Sequence, residues 1–310
     1  MSAQRVGNYE IVRMLARGGM AVVYLVRQPA LDREVVLKRL DLESDDPTIA
    51  QRFVGEARLA ATLNHPNVVT LFDFFEHEGV PYIAMEYVAG GSLRSLTGTL
   101  ELPQIFAVLV GTLAGLAHAE HHGIAPPRPQ AREHPRHAAR EHQDRRLRDR
   151  ARMRLTVTGK AMGTPAYMSP EQALNEPIGP STDLYALGVI VYELLAGRPP
   201  FDADTPVGVL YCHVHKPPPP LATLAPSTPA PVREWVHWLL AKAPRDRPRS
   251  AAQAWDALEE IAVSELGPYC LPNLCPAVIG DVLVYRNSGH VTASFIATLA
   301  PWLARRLPRL

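Results

Sequence analysis

The amino-acid sequence predicts an α+β fold of two lobes, a β-rich first lobe followed by a mostly helical second one. Residues 9–88 carry short runs of β-branched and aromatic residues separated by Gly-containing turns, the pattern of paired strands. Residues 89–265 carry longer apolar runs at helical spacing, IFAVLVGTLAGLAHAEHHGIA and STDLYALGVIVYELLAGRPPF foremost among them. At 310 residues, 47% apolar and 20% charged, the chain is long enough for one large domain or for two lobes with real cores. Residues 1–8 form a short N-terminal tail, and residues 266–310 form a C-terminal tail outside both lobes.

Composition excludes several classes of function. The formal net charge is +1, but ten arginines against Glu133, Glu141, Asp144 and Asp149 give residues 126–154 about +6 and leave the rest near −5. That is no general basic footprint for nucleic acid. Cys212, Cys270 and Cys275 are too few and too scattered for a disulfide framework, and no second pair of ligands lies near 270 and 275 to complete a zinc site. The start MSAQRVGNYEI lacks the layout of a signal peptide, and no segment reaches the roughly 18 continuous apolar residues of a membrane span. The expectation is a cytoplasmic protein with no membrane span and no nucleic-acid partner. Lys38, Lys160, Lys216 and Lys242 stand beside twenty-eight arginines, and Ala and Pro are abundant, a bias that points to GC-rich codons.

In the first lobe, Tyr9–Leu15 alternates like a strand and leads through ARGGMAVVYLV into a second, β-branched strand. A glycine turn between two strands lets backbone N–H groups approach a phosphate without Cβ interference, although Gly-Gly also serves in ordinary hairpins. Glu34–Leu40 is a strand with a single lysine, Lys38, which is either a snorkelling edge residue or a phosphate-binding one. RFVGEARLAATLNHPNVV reads as an amphipathic helix that contains Glu56 and ends at Asn64, with Pro66 beyond. Tyr82–Val88 is a buried strand leading to a Gly-Gly turn.

In the second lobe, a long helix ends at Gly123. The stretch PPRPQAREHPRHAAREHQDRRLRDRARMR follows, with only Leu147 and Met153 as sizeable apolar residues, too few for buried strands. Beyond it, STDLYALGVIVYELLAGRPPF makes a helix buried on most sides, with Asp183 capping its start. His213 and His215 alternate before the proline run of HVHKPPPPL and read as surface residues. That proline run is a helix connector or, less simply, a polyproline ligand for a partner domain. VREWVHWLLAK and SAAQAWDALEEIAV are amphipathic closing helices, with Trp235, Trp238 and Trp255 as core.

Four motifs in order, G-x-G-G-M-A-x-V-Y with its first glycine replaced by Ala16, V-x-x-K, E-A-R-x-x-A-x-L-x-H-P-N-V-V and M-E-Y-V-x-G-x-S-L, resemble the N-lobe of bacterial serine/threonine protein kinases. The resemblance implies the two-lobed protein-kinase fold and ATP with Mg²⁺ as cofactors. It also implies a nucleotide site made by Leu15, Ala16, Arg17, Gly18, Gly19, Met20, Ala21 and Val23, by Lys38 on the phosphates paired with Glu56, and by hinge bonds from Glu86 and Val88. Met85 would be the gatekeeper. Ala16 puts a Cβ where the family has its first loop glycine, which should tighten the loop and weaken nucleotide binding modestly. In LTVTGKAMGTPAYMSPEQA, Thr156 and Thr158 resemble an autophosphorylated pair and Thr164 the threonine that contacts the catalytic loop. Glu171 and Arg247 resemble the family's architectural ion pair, and Asp183 the aspartate that bonds the catalytic-loop backbone.

The family then needs H-R-D-x-K-P-x-N and, about a dozen residues later, D-F-G. Neither is present. Arg128 stands at the expected base position, with Glu133 and Arg146 at the Mg²⁺ positions. The codons CAC CGC GAC CTC AAG CCC GAG AAC ATC CTC spell His-Arg-Asp-Leu-Lys-Pro-Glu-Asn-Ile-Leu. Read from each third base, they give the run from Pro127 to Pro135. AAG ATC GCC GAC TTC GGG ATC GCG CG spells Lys-Ile-Ala-Asp-Phe-Gly-Ile-Ala-Arg and, shifted alike after a preceding C, gives Gln143 to Ala151. Third bases are free in this reading, but the first two bases of every codon are tested. The stretch therefore reads as a catalytic loop and D-F-G strand translated out of frame, entered near Ile124–Pro126 and left by about Leu155. The competing reading is a genuine basic loop that favours phosphate-rich partners.

By resemblance the function is phosphoryl transfer from ATP to a protein serine or threonine, with the literal chain catalytically impaired. The alternative is a non-catalytic pseudokinase that binds nucleotide or acts as a scaffold. In the tail, Val282–Tyr285 reads as a strand, followed by a short amphipathic helix that ends at Arg305–Arg306.

Overall fold

A computed structural model describes residues 4–17, 21–40, 61–90, 93–122, 165–266, 286–287 and 290–291. The first lobe is a six-stranded antiparallel sheet in the order β1-β2-β3-β4-β6-β5, made of β1 (Arg5–Val6), β2 (Tyr9–Arg17), β3 (Ala21–Gln28), β4 (Arg33–Leu40), β5 (Leu71–His77) and β6 (Val80–Glu86). Strand pleating separates its two faces. Val35 and Leu37 of β4 join Val6, Tyr9, Val26, Tyr82 and Ala84 in a small outer core. Val36 and Leu40 point the other way, with Ile83 and Met85, into a core shared with the helical lobe. β6 ends at Glu86 rather than at Val88, because Val35 is the last residue of β4 able to pair with it.

The second lobe is helical: α1 (Leu102–His121), α2 (Pro170–Ala173), α3 (Pro180–Ala196), α4 (Pro206–His215), α5 (Leu221–Leu224), α6 (Ala230–Leu239) and α7 (Ala251–Leu266). α1 is long and apolar enough to cross a membrane by length and composition, and 56% of its apolar window is buried inside the protein. Its Ile105, Leu109, Leu113 and Leu116 join Leu184, Leu187 and Val191 of α3 in the common core. Glu120 near its end accepts the Ala251 backbone N–H at 3.1 Å, so α1 supplies a carboxylate to the positive N-terminus of α7. Gly188 lets α3 and α6 approach closely, since a Cβ there would lie 2.8 Å from the Cβ of Leu239. Trp235 is buried, whereas Trp238 and Trp255 are half-buried and packed against the core.

Two further expectations are corrected. Asp183 does not cap α3. The helix begins at Pro180, a residue suited to the first helical position, and its N-cap is Gly179, whose N–H donates to Thr182 Oγ1 at 3.1 Å. Asp183 lies inside the first turn, buried, where its charge complements the helix dipole. His213 is no surface residue: three positions after Leu210 it shares that residue's buried face of α4 and is fully buried, while His215 is exposed. In the tail, the described elements are the two-residue strands β7 (Arg286–Asn287) and β8 (His290–Val291). The expected helix over 52–64 lies mostly, and the tail strand and tail helix wholly, outside the described residues.

Candidate functional site

The antiparallel register builds a wall of the cleft between the lobes. Val23, Lys38 and Ile83 stand directly across from one another on β3, β4 and β6, and Leu25, Val36 and Met85 form the adjacent row. Residues directly opposite share a face, so Lys38 lies on the same side as Val36 and Met85. Leu15 and Val23 pack against this face half-buried, and Lys38 is itself half-buried. A cation there can reach a phosphate while its stem covers apolar surface. Ala16 and Arg17 are exposed at the end of β2, and Ala21 opens β3. Gly18, Gly19, Met20 and Glu56 lie outside the described residues.

Glu86 closes the wall as the chain turns toward the helical lobe. Its N–H donates to the Thr70 carbonyl at 2.9 Å, and the Thr70 N–H donates to its Oε2 at 3.2 Å. Any bond from this residue's backbone to an adenine must therefore come from its carbonyl. Tyr87 and Val88 follow, half-buried against the shared core. An apolar wall, a turn out of the ladder and one lysine on the same face fit a nucleotide. The adenine would lie against Leu15, Val23, Val36 and Met85, and Lys38 would hold the phosphates.

Thr156, Thr158 and Thr164 lie outside the described residues, and the chain resumes in a single turn, Pro165–Tyr167. Tyr167 donates its O–H to Glu193 Oε2 at 2.5 Å, and Arg94 Nε donates to Glu193 Oε1 at 3.3 Å. Burial, together with the bond and charge of Glu193, raises the Tyr167 phenol above its ordinary range and keeps it a donor.

Behind that turn is the most thoroughly satisfied ion pair among the described residues. Arg247 donates from Nη1 to Glu171 Oε1 at 2.8 Å and from Nη2 to Oε2 at 2.9 Å. Its other N–H groups reach the carbonyls of Ala241, Ser181 and Lys242, and Thr182 donates to Glu171 Oε1 at 2.8 Å. Burial by itself would raise the Glu171 carboxyl, but the Arg247 bonds and charge outweigh it and hold the group below its ordinary value. With both side chains almost fully buried, this pair ties α2 to α3 and to the segment before α7.

Sequence reasoning missed a second buried polar group, made by Tyr185, His213 and Lys242. The available signal was the helical spacing of Leu210 and His213, which marks one apolar face. For Mg²⁺ the donor set does not fit. Arg128 and Arg146, both outside the described residues, are cations with no lone pair to offer, and only Glu133 is a carboxylate. Among the described residues no group of three or more His, Cys, Asp or Glu side chains is placed to hold a metal ion.

Known proteins share this fold. The protein kinase domain family matches residues 9–125 and 146–257. A probable serine/threonine-protein kinase of Streptomyces coelicolor is 37% identical over 225 residues, covering 68% of this chain and 33% of that protein. The serine/threonine-protein kinase PknA of Mycobacterium tuberculosis is 35% identical over 276 residues, covering 84% of this chain and 63% of its own. The crystal structure of the Mycobacterium tuberculosis PknI kinase domain superposes with a TM-score of 0.61 at 25% identity, over 84% of this chain and 98% of that one. The chain thus spans between a third and somewhat under two thirds of these curated relatives. With the family match covering well over half of its residues, the chain belongs to the protein kinase domain family, among bacterial serine/threonine kinases.

Proposed function

We propose that this domain is built to transfer the γ-phosphoryl group of ATP to a protein serine or threonine, and that this polypeptide is catalytically impaired because residues 126–154 are the catalytic region read out of frame. The observation that carries the second half is the codon correspondence: two separate runs, Pro127–Pro135 and Gln143–Ala151, are both regenerated by one and the same shift. The family match is interrupted over residues 126–145, which agrees with the first run, and it includes 146–154. Bound ATP would supply the phosphoryl group. The residues of this chain would bind and orient it: Leu15, Val23, Val36 and Met85 against the base, Lys38 on the phosphates, and Glu86 and Val88 through backbone bonds. Thr156, Thr158 and Thr164 would belong to the segment that meets the protein substrate.

Phosphoryl transfer depends on positioning and charge stabilisation, and arginine at the base and metal positions can neither accept a proton nor hold a cation. The full chain should therefore phosphorylate a generic Ser/Thr substrate, and its own Thr156 and Thr158, more than about a thousand-fold more slowly than a frame-restored chain. Turnover by the literal chain equal to that of the restored one would refute the impairment. Genomic sequence without the shifted codons would refute the frame reading. A second reading, a nucleotide-binding scaffold without turnover, is favoured by the cleft wall around Lys38. It predicts an ATP-dependent rise in melting temperature without autophosphorylation, abolished in Lys38→Met.

A further inference from the structure

We propose that His213 is a positioning residue for the Pro165–Tyr167 turn, the end of a one-directional hydrogen-bond chain that runs from Lys242 through Tyr185 and His213 to the carbonyl of Ala166. The direction follows from what each atom can do. The Ala166 carbonyl only accepts, so His213 Nε2 donates to it, at 3.0 Å. A neutral imidazole then has a bare Nδ1, and the Tyr185 hydroxyl donates to it, at 3.0 Å. That hydroxyl in turn accepts from Lys242 Nζ at 3.5 Å. The same ammonium donates to the carbonyls of His213 at 2.7 Å and Cys212 at 3.4 Å, near the end of α4, where the helix dipole favours a cation.

Among the described residues, four side chains surround the ring or the groups bonded to it. Tyr185 faces it from α3, and Lys242 from the segment after α6. The Phe201 ring meets it edge-on at 4.9 Å and lies 4.2 Å beneath the Lys242 ammonium. Arg247 stacks on Tyr185 from behind, 4.7 Å from the ring centroid, with its charge answered by Glu171. Tyr211, Cys212 and His215 are the titratable neighbours on its own helix. Among the described residues no carboxylate bonds the imidazole, and the Ala166 carbonyl offsets only part of the penalty of charging it. Burial, then the neighbouring Lys242 charge, pushes His213 down to about 3. A protonated ring would reverse the Tyr185 bond: Nδ1–H would donate to the hydroxyl oxygen, and the Tyr185 proton would have to turn away from the ring.

Ala166 sits two residues after Thr164, in the segment that would meet the protein substrate. The inference rests on that reading only for its consequence, a substrate-facing turn held in one conformation. Its geometry is testable without catalysis. In the full-length chain, ¹⁵N NMR of the imidazole should show the Nε2–H tautomer unchanged from pH 5 to 8. Hydrogen exchange at the Met168 amide, which bonds the Pro165 carbonyl across the turn, should quicken about ten-fold or more in His213→Leu. It should return close to the original rate in His213→Gln, whose amide offers a donor and an acceptor at similar reach. The α3 amides should stay protected throughout. Titration of His213 between pH 5 and 8, the opposite tautomer, no rescue by glutamine, or loosening of α3 in step with Met168 would each overturn the proposal. Loss of kinase activity from any cause moves none of these signals.

Discussion

The two lobes handle charge in opposite ways. Among the described residues, no strand of the sheet buries a charged side chain, and its ion pairs, Arg5–Glu10 and Arg27–Asp32, lie on the surface. The helical lobe buries Glu171, Arg247, Asp183, Glu193 and His213, and encloses much of Lys242. A sheet that closes over a ligand needs apolar rows and backbone pairing, and both tolerate small shifts. A segment that would present a peptide needs a fixed place, and buried polar groups bonded as Glu171 and Arg247 are give it one, because any displacement strands a charge.

The sharpest way to break this contrast is Arg247→Leu. Leaving Glu171 buried without its partner should destabilise the fold by roughly 3–5 kcal/mol in urea unfolding. The double change Glu171→Met with Arg247→Leu should recover most of it, since no charge is then left stranded. A small loss in the single variant would mean that the pair is not the anchor its geometry suggests.

Acid comes next. His213 sits near 3 in the fold against an ordinary 6.5. Between those values the unfolded chain binds a proton that the folded chain refuses, so stability falls as pH drops from 6.5 toward 3. The loss reaches about 4 kcal/mol by pH 3.5 and should be missing in His213→Gln. Lys242 gives a second slope: pushed down to about 7 by burial and then by Arg247, it makes stability rise with pH from 7 toward 10.5.

On the sheet side, Leu37→Ala should cost about 3 kcal/mol through the cavity it opens and should leave the exchange of the Pro165–Met168 turn unchanged. Coupled loosening of that turn would blur the division between the lobes. Smallest of all, Arg27→Ala should leave the urea midpoint where it was, because Arg27 and Asp32 are exposed and screened.

Much of this organisation is legible along the chain. The strand over Glu34–Leu40 with Lys38 in it follows from alternation, and α3 from its continuous apolar run. Asp183 was legible as a residue near the start of α3 but not as an interior one. Choosing between Gly179 and Asp183 as the cap depends on where Pro180 lets the helix begin. His213 shows the opposite failure. Beside His215 and a proline run it reads as surface, and only packing against Tyr185, Phe201 and Lys242 makes it core. Polarity read residue by residue does not reveal which polar groups will find partners.

The sequence by itself determined the family and the strand-then-helix order, because motif order and residue periodicity are local properties. Tertiary structure alone decided that Val23, Lys38 and Ile83 share one face, that all the Arg247 N–H groups are engaged, and that a histidine ends a hydrogen-bond chain at Ala166. Those facts depend on pairing register and on contacts between residues tens of positions apart, which only burial in a common core brings within bonding distance.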